Sequence, residues 1–179
     1  MLRKETFIKG ITILQKIFLK WTFNSKDSVQ VNLWYKAFEG LEDREFMKMI
    51  ETFCKTRVNA PVSPKDILSI LVEEEEAKYT NPDAAFNKVR LLIREYGWEF
   101  GKNDIYNNIR ENKALYETVR DFELDLRQMT VNDVVTPKRF KEAYALKLKT
   151  ICIKNVDDKL RIKPAEIEAR TSNFLPYEQ

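Results

Sequence analysis

Histidine is absent from the chain. That removes the commonest metal ligand and the side chain that titrates most readily near neutral pH. Ser-His-Asp and Cys-His nucleophile arrangements are excluded with it. Glycine is scarce, with 4 residues in 179, which argues against a β-rich sandwich. Gly10, Gly40, Gly97 and Gly101 stand in no phosphate-cradling loop. Cys54 and Cys152 lie 98 positions apart and neither belongs to a CxxC pair, so zinc is not expected. Both are read as buried, inert thiols, Cys54 on an apolar helical face. No apolar run reaches the ~18 residues of a membrane span. Lys and Glu interrupt the apolar positions of the N-terminus, so no signal peptide is expected and the cytoplasm is the expected compartment.

What is present is a mixture of apolar and charged residues, 44% and 33%, typical of a soluble globular protein rather than a disordered one. Net charge is only +3, but it is unevenly placed. Residues 1–76 hold 12 basic and 12 acidic side chains, whereas 137–163 hold 9 basic against 3 acidic.

The apolar residues recur at helical spacing. Phe7, Ile11, Leu14, Phe18 and Trp21 make one stripe, which predicts a first helix over about 5–21. "NSKDS" offers caps for a second helix carrying Val31, Trp34, Tyr35 and Phe38, stopped by Gly40. Phe46, Met49, Ile50, Phe53 and Cys54 give a third.

"NAPVSPKDILSIL" then starts a fourth helix. Ser63 is expected to cap it, with Pro64 at the first helical position and Asp66 near the positive end of its dipole. Asn81-Pro82 and Thr136-Pro137 repeat the device. Three of the six prolines thus follow a capping residue, and they start helices rather than break them. Leu115, Val119, Phe122 and Leu126 form a further stripe, and Phe140, Ala143, Tyr144, Leu148 and Ile151 another.

The expected fold is an all-α small helical bundle in two lobes with a partly extended C-terminal tail. The expected divisions are 1–77, 78–155 and 156–179, the last a short helix from Pro164 and a tail. Glu73–Glu76 is read as a solvated end of the fourth helix or as a hinge.

No catalytic set is evident. Neighbouring acids such as Glu42–Asp43 and Asp157–Asp158 point in different directions on a helix, so they make poor acid–base pairs. No catalytic, metal-binding or cofactor-binding residue is nominated, and an enzyme is not expected.

The remaining candidates are binding surfaces. Lys147, Lys149, Lys154, Arg161 and Lys163 are candidate nucleic-acid contacts, since a basic segment supports weak, salt-sensitive phosphate binding. The bland alternative is a solvated face. Phe174, Leu175 and Tyr177 in the tail are candidate partner contacts, or they fold back onto the core. DNA reading by the fourth helix fits poorly, because only Lys65 offers a base contact and the four glutamates repel phosphate.

Leu33-Trp34 and Phe38, then "FMKMIETF", then "SPKDI" form a pattern over residues 4–72. It resembles the phage-encoded loader/inhibitor family of replicative DNA helicases, where a turn P-P-T-I-A-[DE]-I joins the third and fourth helices of a small bundle. Pro61, Ser63, Asp66 and Ile67 fit that turn, while Val62, Pro64 and Lys65 depart from it. "PDAAFNKVRLLIREYG" and "VTPKRFKEAYA" look like downstream regions of related phage replication proteins. The resemblance implies no ATPase activity and a hexameric DnaB-type replicative helicase as partner, held inactive and delivered to an origin-binding initiator. A single-strand-binding protein is a further implied partner. In the family the helicase contact is attributed to the C-terminal part.

Two readings stay open. One is a non-enzymatic helicase loader or inhibitor. The other is a phage replication or regulatory protein that binds nucleic acid directly through 137–163. An adaptor with another partner is a third.

Overall fold

The computed structural model describes residues 1–130 and 132–161, the Phe100 side chain excepted. Among them it has nine helices and no strand, the all-α architecture expected. The chain forms two compact units. Of the described residues, unit 1 is Met1–Leu71 together with 155–161, and unit 2 is Val72–Lys154.

Unit 1 begins with α1 (Lys4–Ile17), α2 (Ser28–Phe38) and α3 (Asp43–Thr56). Asp43 ties the first turns of α1 and α3 together. It accepts the Arg3 amide at 2.8 Å and the Arg3 side chain at 2.5 Å. Asp27 caps α2 by accepting the amides of Val29 and Gln30. α1 stops four residues short of the predicted end. Trp21 lies outside the helix, where it stacks on Phe23 at 4.9 Å and meets Trp34 edge-on at 5.4 Å. Ring packing has won over helix continuation there.

α4 (Pro64–Glu76) starts at Pro64 as expected, but Ser63 does not cap it. The Ser63 hydroxyl donates to Asp66 at 3.5 Å. Asp66 reaches back and accepts the amides of Val62 and Ser63 at 2.7 and 2.8 Å. This is the acidic half of a capping box, which satisfies donors just ahead of the first turn. Glu73–Glu76 make the end of α4, with Lys78 pairing Glu75.

Unit 2 holds the end of α4, then α5 (Pro82–Tyr96), α6 (Trp98–Ile109), α7 (Lys113–Asp121), α8 (Glu123–Gln128) and most of α9 (Val135–Leu160). Asn81 caps α5 by accepting the Ala84 amide at 2.9 Å. Gly97 joins α5 to α6 with φ +69°, a left-handed conformation that other residues adopt only under strain. The stripe from Leu115 to Leu126 is broken at Phe122, so it makes two helices rather than one. α9 is capped by Asp133, which accepts the amides of Val135 and Thr136, and not by Thr136.

In α9 every fourth residue is buried: Thr136, Phe140, Tyr144, Leu148, Cys152 and Val156. At ~100° per residue such a stripe drifts by about 40° each step, so it winds around the helix. Residues 156–160, expected in a separate tail, continue α9. Leu160 packs on the unit 1 core, and a Cβ at Gly40 would overlap the Leu160 carbonyl. The helix expected from Pro164 lies outside the described residues.

Candidate functional site

The basic segment is largely engaged by the protein's own carboxylates. Lys147 pairs with Asp121. Arg139 lies 3.9 Å from Asp125 and over the Phe122 ring. Lys141 meets Asp83 at 2.5 Å, Lys159 meets Glu45 at 2.6 Å, and Arg161 meets Asp158 at 3.6 Å. Lys138, Lys149 and Lys154 stand exposed. Of the five candidate nucleic-acid contacts, the structure therefore leaves Lys149 and Lys154 available, ties Lys147 and Arg161 into ion pairs, and does not describe Lys163. Phe174, Leu175 and Tyr177 also lie outside the described residues.

One recess in unit 1 was missed by sequence reading. α1 and α3 enclose an open groove of about 610 Å³. Ile13, Ile17, Met47 and Cys54 line it, with Arg44 and Lys48 among its basic residues. Ile17 is 51% exposed, so the groove is uncovered. The Lys55–Glu51 ion pair, 2.7 Å, closes part of its edge. Its signal was present in α1. Ile13 and Ile17 form a second stripe beside Phe7, Ile11 and Leu14, wider than a single core contact requires.

Cys54 was expected to be buried, yet it is half-buried in the groove wall, whereas Cys152 is fully buried. Burial pushes both thiols up. A raised thiol disfavours the thiolate, which is the nucleophilic form.

Two other places carry charge. Arg90 and Arg94, one turn apart on α5, flank a recess of about 320 Å³ with Leu91 and Pro137. Lys102, Glu123 and Tyr106 form a chain, with Lys102–Glu123 at 2.6 Å and Tyr106 donating to Glu123 at 3.2 Å. Burial and the Glu123 charge push the Tyr106 hydroxyl up to about 12, so it remains a donor and not a base at neutral pH. Among the described residues no cluster of His, Cys, Asp or Glu is placed to hold a metal ion, and no helix is long and apolar enough to cross a membrane.

No family model, no curated protein and no solved structure matches the chain.

Proposed function

We propose that the protein is a non-enzymatic phage DNA-replication factor. It binds a hexameric replicative helicase of the DnaB type in the host cytoplasm, holds it inactive and delivers it to an origin-bound initiator. One observation carries the reading. The residues that bear the family resemblance, 4–72, coincide with the first part of a compact unit, Met1–Leu71, which has its own core. Trp34, Phe38 and Phe46 are buried there, and the Pro61–Asp66 turn leads from α3 into α4.

The partner contact is assigned to Phe174, Leu175 and Tyr177, in keeping with the C-terminal contact of the family. Pull-down of a purified DnaB-type helicase by the full chain and by a Phe174→Ala, Leu175→Ala, Tyr177→Ala variant tests it. Retention by the full chain and loss in the variant is the expected result. No retention at micromolar protein and low salt rejects the reading.

Direct nucleic-acid binding is the second reading, and exposed Lys138, Lys149 and Lys154 favour it. Internal neutralisation of five neighbouring bases weakens it, because each engaged cation releases fewer phosphate counterions. A mobility-shift series with increasing salt, run on Lys149→Glu, Lys154→Glu, separates the two. A shift that is salt-sensitive and lost in the variant supports nucleic-acid binding.

A further inference from the structure

We infer that Arg90 and Arg94 form a binding site for an anion, a carboxylate or a phosphate, borne on a small apolar body that fills the recess beside them. The recess holds about 320 Å³, at the low end of the ~300–1,000 Å³ typical of small-ligand pockets. Its described lining residues all belong to unit 2.

Charge comes first. Other arginines of unit 2 are matched internally, Arg120 with Asp121, Arg127 with Glu99 and Arg139 with Asp125. Among the described residues no carboxylate pairs with Arg90 or Arg94, and no hydrogen bond engages either. Asp133 shares the recess, but its carboxylate is committed to the start of α9. There it accepts the amides of Val135 and Thr136 at 2.9 and 3.1 Å. Two free cations thus face the recess against one engaged anion.

Spacing and lining complete the site. Residues four apart on a helix have Cβ atoms ~5–6 Å apart, so both guanidiniums can close on one anion. Each is a planar fork that matches two oxygens of a carboxylate or phosphate. Phe86, Leu91, Met129 and Pro137 make the wall apolar. Leu91 is 58% exposed, so apolar surface stands open beside the charges. An inorganic ion would use the arginines alone, whereas an apolar body also takes that surface out of water. A polynucleotide fits less well, because it needs exposed rings to stack its bases, and the one ring here, Phe86, is buried. The site uses no residue of 4–72 or of the tail, so it stands whether or not a helicase is the partner.

Met129 supplies a native reporter in the wall. The test is a nuclear magnetic resonance titration of the full-length protein, isotope-labelled at its methionine methyls, with Met129→Leu identifying the signal. Phenylacetate and phenyl phosphate are the probes, and the tighter one identifies the anion. Both should shift the Met129 methyl saturably. Arg90→Gln and Arg94→Gln should each weaken binding about tenfold, as for the loss of one hydrogen bond to a charged group. Lys88→Gln, which removes an exposed base on the same helix, should leave binding unchanged. Benzyl alcohol has the ring without the charge, and inorganic phosphate the charge without the ring, so each should bind about tenfold more weakly or worse. The absence of a saturable shift with either probe overturns the inference. So does unchanged affinity in the Arg90→Gln, Arg94→Gln double variant. Equal binding of benzyl alcohol also overturns it, since the ring then suffices, as does equal binding of inorganic phosphate, since the recess then plays no part.

Discussion

In unit 1 a chain of rings runs through the core. Trp21, Phe23, Trp34, Phe38, Phe7 and Phe46 touch in succession, with centroids 4.9–6.5 Å apart. Unit 2 is built mainly on aliphatic side chains, and a buried polar tie runs through it. Tyr144 is fully buried, donates to the Thr80 carbonyl at 2.9 Å and accepts from Asn112 at 3.1 Å. Asn112 also caps α7, so one network fixes the approach to α5, the start of α7 and the middle of α9. Apolar burial is non-directional and tolerates a spare apolar surface such as the α1–α3 groove. A buried hydroxyl does not, since it has to be matched or it costs stability.

The largest expected effect lies among the rings. Phe38→Ala should cost about 3–5 kcal/mol, because Phe38 is fully buried against Phe7, Trp34 and Phe46. Trp21 and Trp34 report unit 1 and Trp98 reports unit 2. Urea unfolding followed in a Trp98→Phe background therefore reads unit 1 by itself. A loss below ~1 kcal/mol would mean that the ring chain is not the source of its stability.

Tyr144→Phe should cost about 1–3 kcal/mol, because it removes both hydrogen bonds of a fully buried tyrosine, at about 0.5–1.5 kcal/mol each. In unit 1, Tyr35→Phe removes a half-exposed donor to the Leu2 carbonyl and should cost only about 0.5–1 kcal/mol. Equal losses would erase the contrast between the two cores. The start of α4 gives a finer comparison. Asp66→Ala should cost ~1 kcal/mol, and Ser63→Ala only a few tenths, since the carboxylate and not the hydroxyl receives the amides.

Acid should act on both units together. In unit 1, the Arg3 amide holds Asp43 below the usual carboxylate range, and Lys159 and Lys55 do the same for Glu45 and Glu51. In unit 2, Lys147, Lys102 and the Thr136 hydroxyl act likewise on Asp121, Glu123 and Asp133. A lowered carboxyl stabilises the fold above its unfolded pKa, and that contribution is lost as pH falls through its folded one. Thermal midpoints should decline below pH ~4.5 and stay flat from about pH 5 to 8, where a chain without histidine has little to titrate. A step between pH 6 and 7 contradicts this. The smallest effect is expected from Lys159→Ala, at most ~0.5 kcal/mol for a pair with half-exposed partners.

Helical character was legible from single turns of sequence. Stripes at steps of three and four placed most of the core, and Asn81-Pro82 and Pro64 marked helix starts correctly, because periodicity and local capping act within a few residues. α6 was missed because its buried residues, Trp98, Ile105 and Ile109, leave a gap around Gly101, whose own φ and ψ are not helical. Choosing Asp66 over Ser63 and Asp133 over Thr136 depended on which side chain the backbone actually presents to the free amides. The basic stretch read as +6 because a sequence counts charges, whereas Asp83, Asp121, Asp125 and Glu45 come from other elements to meet it. The second apolar stripe of α1 was in the sequence, but that it stays uncovered was not. Ile13 and Ile17 on α1 become a groove wall only where α3 lies alongside and leaves them uncovered. The sequence alone determined that this chain is helical and where its apolar stripes run. Tertiary structure decided which stripe is core, which cations are neutralised and which apolar strip remains open, because each depends on residues distant in the chain.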